Sequence, residues 1–133
     1  MRITAEGEGV GYSRSECVIR SRARLIYEDV ADLLEGRTSS IRDPELQTNI
    51  RKMHKLAKIL ESKRIQRGAV QFSFAEEVFE FDSDQQMTGV GRIYQSSAMK
   101  LIEQFMLEAN ETVARHCVKN KMPALYRVHE RPD

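Results

Sequence analysis

The sequence predicts an α+β fold in which a few antiparallel strands pack against long helices. Three observations lead there. Leu46, Ile50, Met53, Ala57 and Leu60 recur at helical spacing, and so do Ala98, Leu101, Ile102, Phe105, Ala109 and Val113. Between the two helices, residues 69–74 alternate, with Val70, Phe72 and Phe74 on one side, as a strand does. The 133 residues suit one domain or a large piece of one. At 41% hydrophobic and 31% charged, the composition is that of a folded chain and not a disordered one.

In chain order, the glycines of residues 4–11 read as a turn, because they supply the positive φ of a tight reversal. Cys17-Val18-Ile19 is a short strand candidate. Tyr27 to Leu34 reads as a helix closed by Gly36. Asp43-Pro44 opens the next helix as N-cap and first-turn proline, and the helix runs to about Arg64. After Arg67-Gly68 come the strand at 69–74, a second at about Glu77–Phe81, a turn at Asp82-Ser83-Asp84 and a weaker strand at Val90–Tyr94. Ser96 or Ser97 caps the longest helix, which reaches about Lys119. Pro123 prevents its continuation, and Ala124 to His129 reads as a closing strand.

The net charge is +1, so the molecule as a whole has no field to steer nucleic acid, and any such contact must be local. Cys17 and Cys117 are far apart without ligand spacing and read as free thiols in a reducing compartment. No apolar run approaches the ~18 residues of a membrane span, and no apolar signal core follows Met1. The expected location is therefore cytoplasmic, with no membrane partner.

The common catalytic motifs are absent. Gly7-Glu8-Gly9-Val10-Gly11 resembles a phosphate loop, but no helix opens after it and no Lys-Ser/Thr follows. His116 and Cys117 are adjacent on a helix and point about 100° apart, so they are no base–nucleophile pair; His116 falls in the apolar stripe as a packed residue. Arg51, Lys55 and Lys58 line one side of the second helix, with Lys52, Lys63, Arg64 and Arg67 nearby, as either a solvated face or a phosphate contact. On the long helix Lys100, Gln104, Glu108, Glu111 and Arg115 should be wet. Glu103 and Asn110 share a flank of the apolar stripe, as members of a structural hydrogen-bond network or as the lining of a pocket.

Three segments together resemble one known family. The first is Val18-Ile19-Arg20-Ser21-Arg22-Ala23-Arg24-Leu25-Ile26-Tyr27, with Ile26 where the family usually has Thr. The second is Arg64-Ile65-Gln66-Arg67-Gly68-Ala69-Val70-Gln71-Phe72, followed by Glu77 and Phe79-Glu80-Phe81-Asp82. The third is Leu101-Ile102-Glu103-Gln104-Phe105-Met106-Leu107-Glu108-Ala109-Asn110, leading to Pro123-Ala124-Leu125-Tyr126-Arg127-Val128-His129-Glu130-Arg131-Pro132. In order and spacing these resemble the RNB catalytic domain of the ribonuclease II/ribonuclease R family. Gln104 stands where a second Glu is common, a departure expected to be mild at a wet position.

The resemblance implies that residues 1–133 are a single partial RNB domain, the C-terminal half, truncated at both ends. It implies a processive 3′–5′ exoribonuclease that hydrolyses single-stranded RNA to nucleoside 5′-monophosphates with magnesium. The aspartates that hold that magnesium, and a catalytic arginine motif, have no counterpart here, so no catalytic or metal residue is assigned and the chain alone is expected to be inactive. The resemblance places Tyr27 and Glu103 at the RNA 3′ end, where a carboxylate can accept from the ribose 2′-hydroxyl. Asn110, Arg127 and His129 also match family positions and read first as architecture. The expected partners are single-stranded RNA and the missing parts of the domain. The alternatives are a non-catalytic RNA-binding or interaction module and a truncated reading frame.

Overall fold

The computed structural model describes residues 1–70 and 75–128. Its elements are a hairpin, β1 (Arg2–Ile3) and β2 (Gly9–Gly11); two helices, α1 (Tyr27–Glu35) and α2 (Pro44–Gln66); a second hairpin, β3 (Glu76–Phe81) and β4 (Met87–Ile93); and a last helix, α3 (Ser97–Lys119). Both hairpins are antiparallel and two-stranded. The mixed α+β class expected from the sequence is the one observed.

The helix ends follow from their caps. Asp43 Oδ1 accepts from the N–H groups of Glu45 and Leu46, two of the donors a helix start leaves unpaired. Lys63 and Arg64 sit in the last turn of α2, complementing the helix dipole. Gly36 ends α1 in the left-handed region, and the Arg37 N–H donates to the Asp32 carbonyl at 2.8 Å. Asp29 then ties α1 to the following loop: its backbone carbonyl accepts from Ser39 Oγ, and its carboxylate accepts from Ser40 Oγ at 2.6 Å. This clasp delivers Ile41 to a small core with Leu33 and Ile50, edged by Val30, Leu34 and Leu46.

α2 and α3 lie side by side and run in the same direction. Ile50 and Met53 share an apolar cavity with Ala98 and Leu101, while Arg67, near the other end, pairs with Glu111. The β1–β2 hairpin seats on this pair. Gly7, at φ +79°, turns its backbone against Ile59 and Lys63; Lys63 pairs with Glu8; and the Tyr12 hydroxyl meets His116 Nδ1 at 2.8 Å. The β3–β4 ribbon packs on none of the described helices, and its Phe79, Phe81, Met87 and Val90 are exposed.

Several expectations need correction. Cys17–Ile19 is no strand: none of the described strands pairs with it, and Val18 and Ile19 are open to solvent. Gly9–Gly11 is a strand and not part of the turn, since the reversal closes earlier, with Gly7 N–H on the Thr4 carbonyl. β4 begins at Met87, because Asp82 Oδ1 caps the N–H groups of Asp84 and Gln86 and pairing starts at once. Of the strand expected at 69–74, residues 69 and 70 are not in a strand and 71–74 lie outside the described residues. Residues 124–128 form no strand either, and His129 lies outside the described residues.

The seating of the first hairpin can be tested at its glycine. At Gly36 a Cβ would meet nothing within 4 Å, so Gly36→Ala should cost only the left-handed backbone, roughly 1–2 kcal/mol. At Gly7 a Cβ would also stand 2.8 Å from Ile59 Cγ2. Gly7→Ala should therefore cost more in urea unfolding, and the excess should disappear in an Ile59→Ala background. Equal losses for the two glycines would show that the hairpin does not rest on α2.

Candidate functional site

α3 carries the site. Ser96 caps it by accepting from the Met99 N–H at 3.2 Å, and the helix then buries Ala98, Leu101, Gln104 and Thr112. This is not the stripe expected from its apolar residues. The buried face is turned roughly 60° around the axis, at 100° per residue. Gln104, expected in water, is 3% exposed, whereas Ile102 and Val113 are 47% and 61% exposed. The reason is the neighbour. α2 offers a half-polar flank with His54, continued by Arg67 just past its end, and α3 meets it with Gln104, Glu108 and Glu111. At that depth an amide costs less to bury than a carboxylate would.

Tyr27 and Glu103 lie on two flanks of this arrangement. Tyr27, the first residue of α1, is exposed and borders an apolar cavity of about 320 Å³ with Leu25, Ile26, Ile50, Met53 and Ile102. Glu103 follows Ile102 and points about 100° further round α3. Its Oε2 accepts from Gln95 Nε2 at 2.7 Å, and its Oε1 lies 3.9 Å from Arg64 Nη2. The second distance is an ion pair and too long for a hydrogen bond. Oε1 therefore keeps capacity to accept from an incoming hydroxyl. Among the described residues no hydrogen bond joins Tyr27 to Glu103.

Asn110 and Arg127 are exposed and do not border this cavity. His129 lies outside the described residues. On the basic side of α2, Lys63, Arg64 and Arg67 pair with Glu8, Glu103 and Glu111, while Arg51, Lys52, Lys55 and Lys58 face solvent. His116 is half-buried, as a packed residue, and its ring meets Tyr12 edge to face with centroids 5.6 Å apart. Among the described residues no group of three or more His, Cys, Asp or Glu is placed to hold a metal ion. Asp82, the best-placed carboxylate of the ribbon turn, is occupied as a cap. The described residues therefore do not fit a magnesium site.

Sequence reasoning missed three residues. Gln104, His54 and Arg64 each have a buried polar atom without a hydrogen-bond partner among the described residues: Oε1, Nδ1 and Nε. Burial, followed by the nearby Lys58, pushes the His54 pKa below its ordinary 6.5, with Glu61 opposing. Apolar periodicity carries no signal for such residues, because they are polar side chains on a packed face.

The RNB domain model matches residues 1–133. The chain belongs to the RNB domain family. It is 35% identical to ribonuclease R of Vibrio parahaemolyticus over 99% of this chain and 16% of that protein, and 37% identical to ribonuclease R of Thermotoga maritima over 100% of this chain and 19% of that protein. It therefore spans less than a fifth of the length of these relatives. Among solved structures, it is similar to Mycoplasma genitalium RNase R in complex with double-stranded RNA, with TM-score 0.72, 27% identity and coverage of 80% of this chain and 19% of that one. The same enzyme in complex with ribose-methylated single-stranded RNA matches with TM-score 0.73 and 27% identity, over 80% of this chain and 16% of that one. No helix among the described residues of this RNB chain is long and apolar enough to cross a membrane.

The state of His54 gives a pH test. Its folded pKa lies below 6.5, so the unfolded chain takes up the proton first as the pH falls. The stability contributed by neutral His54 is complete above that value and is lost as the pH drops through the interval beneath it. The urea midpoint should fall between about pH 7.5 and 5.5, and His54→Gln should flatten that fall. Identical pH dependence in the two proteins would place His54 in solvent.

Proposed function

We propose that this chain is the substrate-holding part of a processive 3′–5′ exoribonuclease acting on single-stranded RNA, with Glu103 and Tyr27 at the RNA 3′ end. The observation that carries the reading is the state of Glu103. Its carboxylate is positioned by Gln95 while Oε1 remains able to accept a hydroxyl, and a 2′-hydroxyl distinguishes RNA from DNA. Tyr27, beside an apolar cavity, supplies a ring for the terminal nucleotide. RNA complexes of the similar Mycoplasma genitalium enzyme support RNA as the ligand class.

In this reading the magnesium ligands and the hydrolytic residues belong to other parts of a longer RNB protein. Those parts also cover the apolar residues left open on α3 and on the β3–β4 ribbon. The chain alone would hold RNA without cutting it, in the cytoplasm, where Cys17 and Cys117 remain free thiols. The alternative, a non-catalytic RNA-binding module, shares that behaviour in isolation and differs in the longer protein, where it predicts no hydrolysis. Purified chain, incubated with end-labelled single-stranded RNA and magnesium, should release no monophosphate.

The decisive variants are Glu103→Ala and Glu103→Gln in a full-length ribonuclease carrying this segment, with the exposed Val113→Ala as control. Losing one hydrogen bond to a charged acceptor costs roughly 1.5–3 kcal/mol, about 10–150-fold in rate. The loss should be large on an all-ribose RNA and small on one ending in a deoxynucleotide, while Val113→Ala changes neither. Equal slowing on both substrates together with a lowered melting temperature would make Glu103 a packing residue and sink the assignment.

A further inference from the structure

Arg64 sits in the last turn of α2 with its side chain 23% exposed, and Glu103 is its ion-pair partner among the described residues. Its Nε is sealed from solvent with no hydrogen-bond partner there. Packing, and not a hydrogen bond on the inner side, therefore sets where the guanidinium stands. Glu103 is held from behind as well, by the 2.7 Å hydrogen bond that Oε2 accepts from Gln95 Nε2. Between the two held groups lies a gap. Arg64 Nη2 and Glu103 Oε1 stand 3.9 Å apart, whereas the other ion pairs among the described residues close to 3.4 Å or less.

A separation of that size between polar groups is one that a single oxygen atom bridges. A hydroxyl that donates to a carboxylate lies about 2.7 Å from it, and one that accepts from a guanidinium lies about 2.9 Å from the nitrogen. With those two lengths on the 3.9 Å base, the angle at the hydroxyl oxygen is about 90°. A hydroxyl has one proton and two lone pairs, so it fills both roles at once. A phosphate oxygen cannot donate to Oε1, and an ammonium cannot accept from Nη2. The pair therefore selects a hydroxyl over either charged group.

We propose that Arg64 is a specificity-determining residue: it donates to the oxygen of the terminal ribose 2′-hydroxyl while that hydroxyl donates to Glu103. The inference rests on the reading of Glu103 as a residue at the RNA 3′ end, and adds a second reader from another helix. A terminal deoxynucleotide leaves both charges unbridged, and a site built to pair with a hydroxyl rejects the analogue that lacks it.

The test is a ratio: kcat/KM on an all-ribose RNA over kcat/KM on one ending in a deoxynucleotide, in a full-length ribonuclease carrying this segment. Arg64→Met keeps an unbranched stem but no donor, and should lower the ratio about tenfold or more. Arg64→Lys keeps the charge without the planar fork, and should give an intermediate ratio at the wild-type melting temperature. Should Arg64→Met melt early, the Lys variant still decides. In a Glu103→Ala background, Arg64→Met should lower the ratio further, because its donor acts on the hydroxyl itself. No further change there would reduce Arg64 to a support for Glu103 and overturn the proposal. Equal slowing on both ends would also overturn it. A ratio lowered by Glu103→Ala but untouched by both Arg64 variants would sink this inference alone. A ratio indifferent to both residues would remove Glu103 from the RNA 3′ end as well.

Discussion

The parallel contact between α2 and α3 positions every other element. Ala57 and Ala98 keep the seam narrow, and Ile50, Leu60 and Leu101 fill it. Two parallel helices cannot be joined by a tight turn, so the chain needs a long crossover, and residues 67–96 supply it with the β3–β4 ribbon as its outer part. α1 reaches the seam through Leu33 and the Asp29 clasp. The first hairpin reaches it through Gly7 and Tyr12. At the far end Arg67, Glu111, Arg115 and Glu108 form a chain of ion pairs. Three of these four side chains are more than a third exposed, so the chain of pairs sets direction more than it adds stability.

The seam also explains why the two flanks of α3 differ. On one side apolar residues from α1 and α2 leave an open apolar cavity beside Tyr27. On the other the same helices present His54, Gln104 and charged groups around a polar one. The two flanks of one helix thus differ in polarity, and Glu103 stands near their boundary, held by Gln95 and Arg64. The surface beyond the seam is open. The chain exposes 11,441 Å², where a compact monomer of this mass would expose roughly 7,100 Å². An excess of that size goes with the absence, among the described residues, of any large side chain that is fully buried, in a chain that spans less than a fifth of the length of its ribonuclease R relatives.

Much of this was legible from local signals. Asp43-Pro44, Gly36 and Ser96 mark helix ends because capping is decided by residues adjacent in sequence. The Asp82 turn was readable for the same reason. The rotation of α3 was not. Its apolar residues point to a face centred near Ala98 and Ala109, but burial depends on where α2 lies, and no local pattern encodes that. Ile102 and Val113 remain outside for want of a covering layer, and Gln104 goes inside because its neighbours are themselves polar. Cys17–Ile19 is apolar and β-branched, yet a strand needs a partner, and none of the described chain reaches it. For the site, the motif around Glu103 singled out the residue, while its partners Gln95 and Arg64 came from other elements and only the fold brings them together.

The most direct measurement is an NMR titration of the isotopically labelled chain with a short single-stranded RNA, repeated with an oligomer ending in a deoxynucleotide. Substrate holding at the α3 seam predicts shifts concentrated at Tyr27, Ile102 and Glu103, with the Glu103 response reduced when the terminal 2′-hydroxyl is absent. Shifts spread over Arg51, Lys52, Lys55 and Lys58 and identical for the two oligomers would contradict it, reducing the chain to a surface that attracts phosphates without reading the end of the strand.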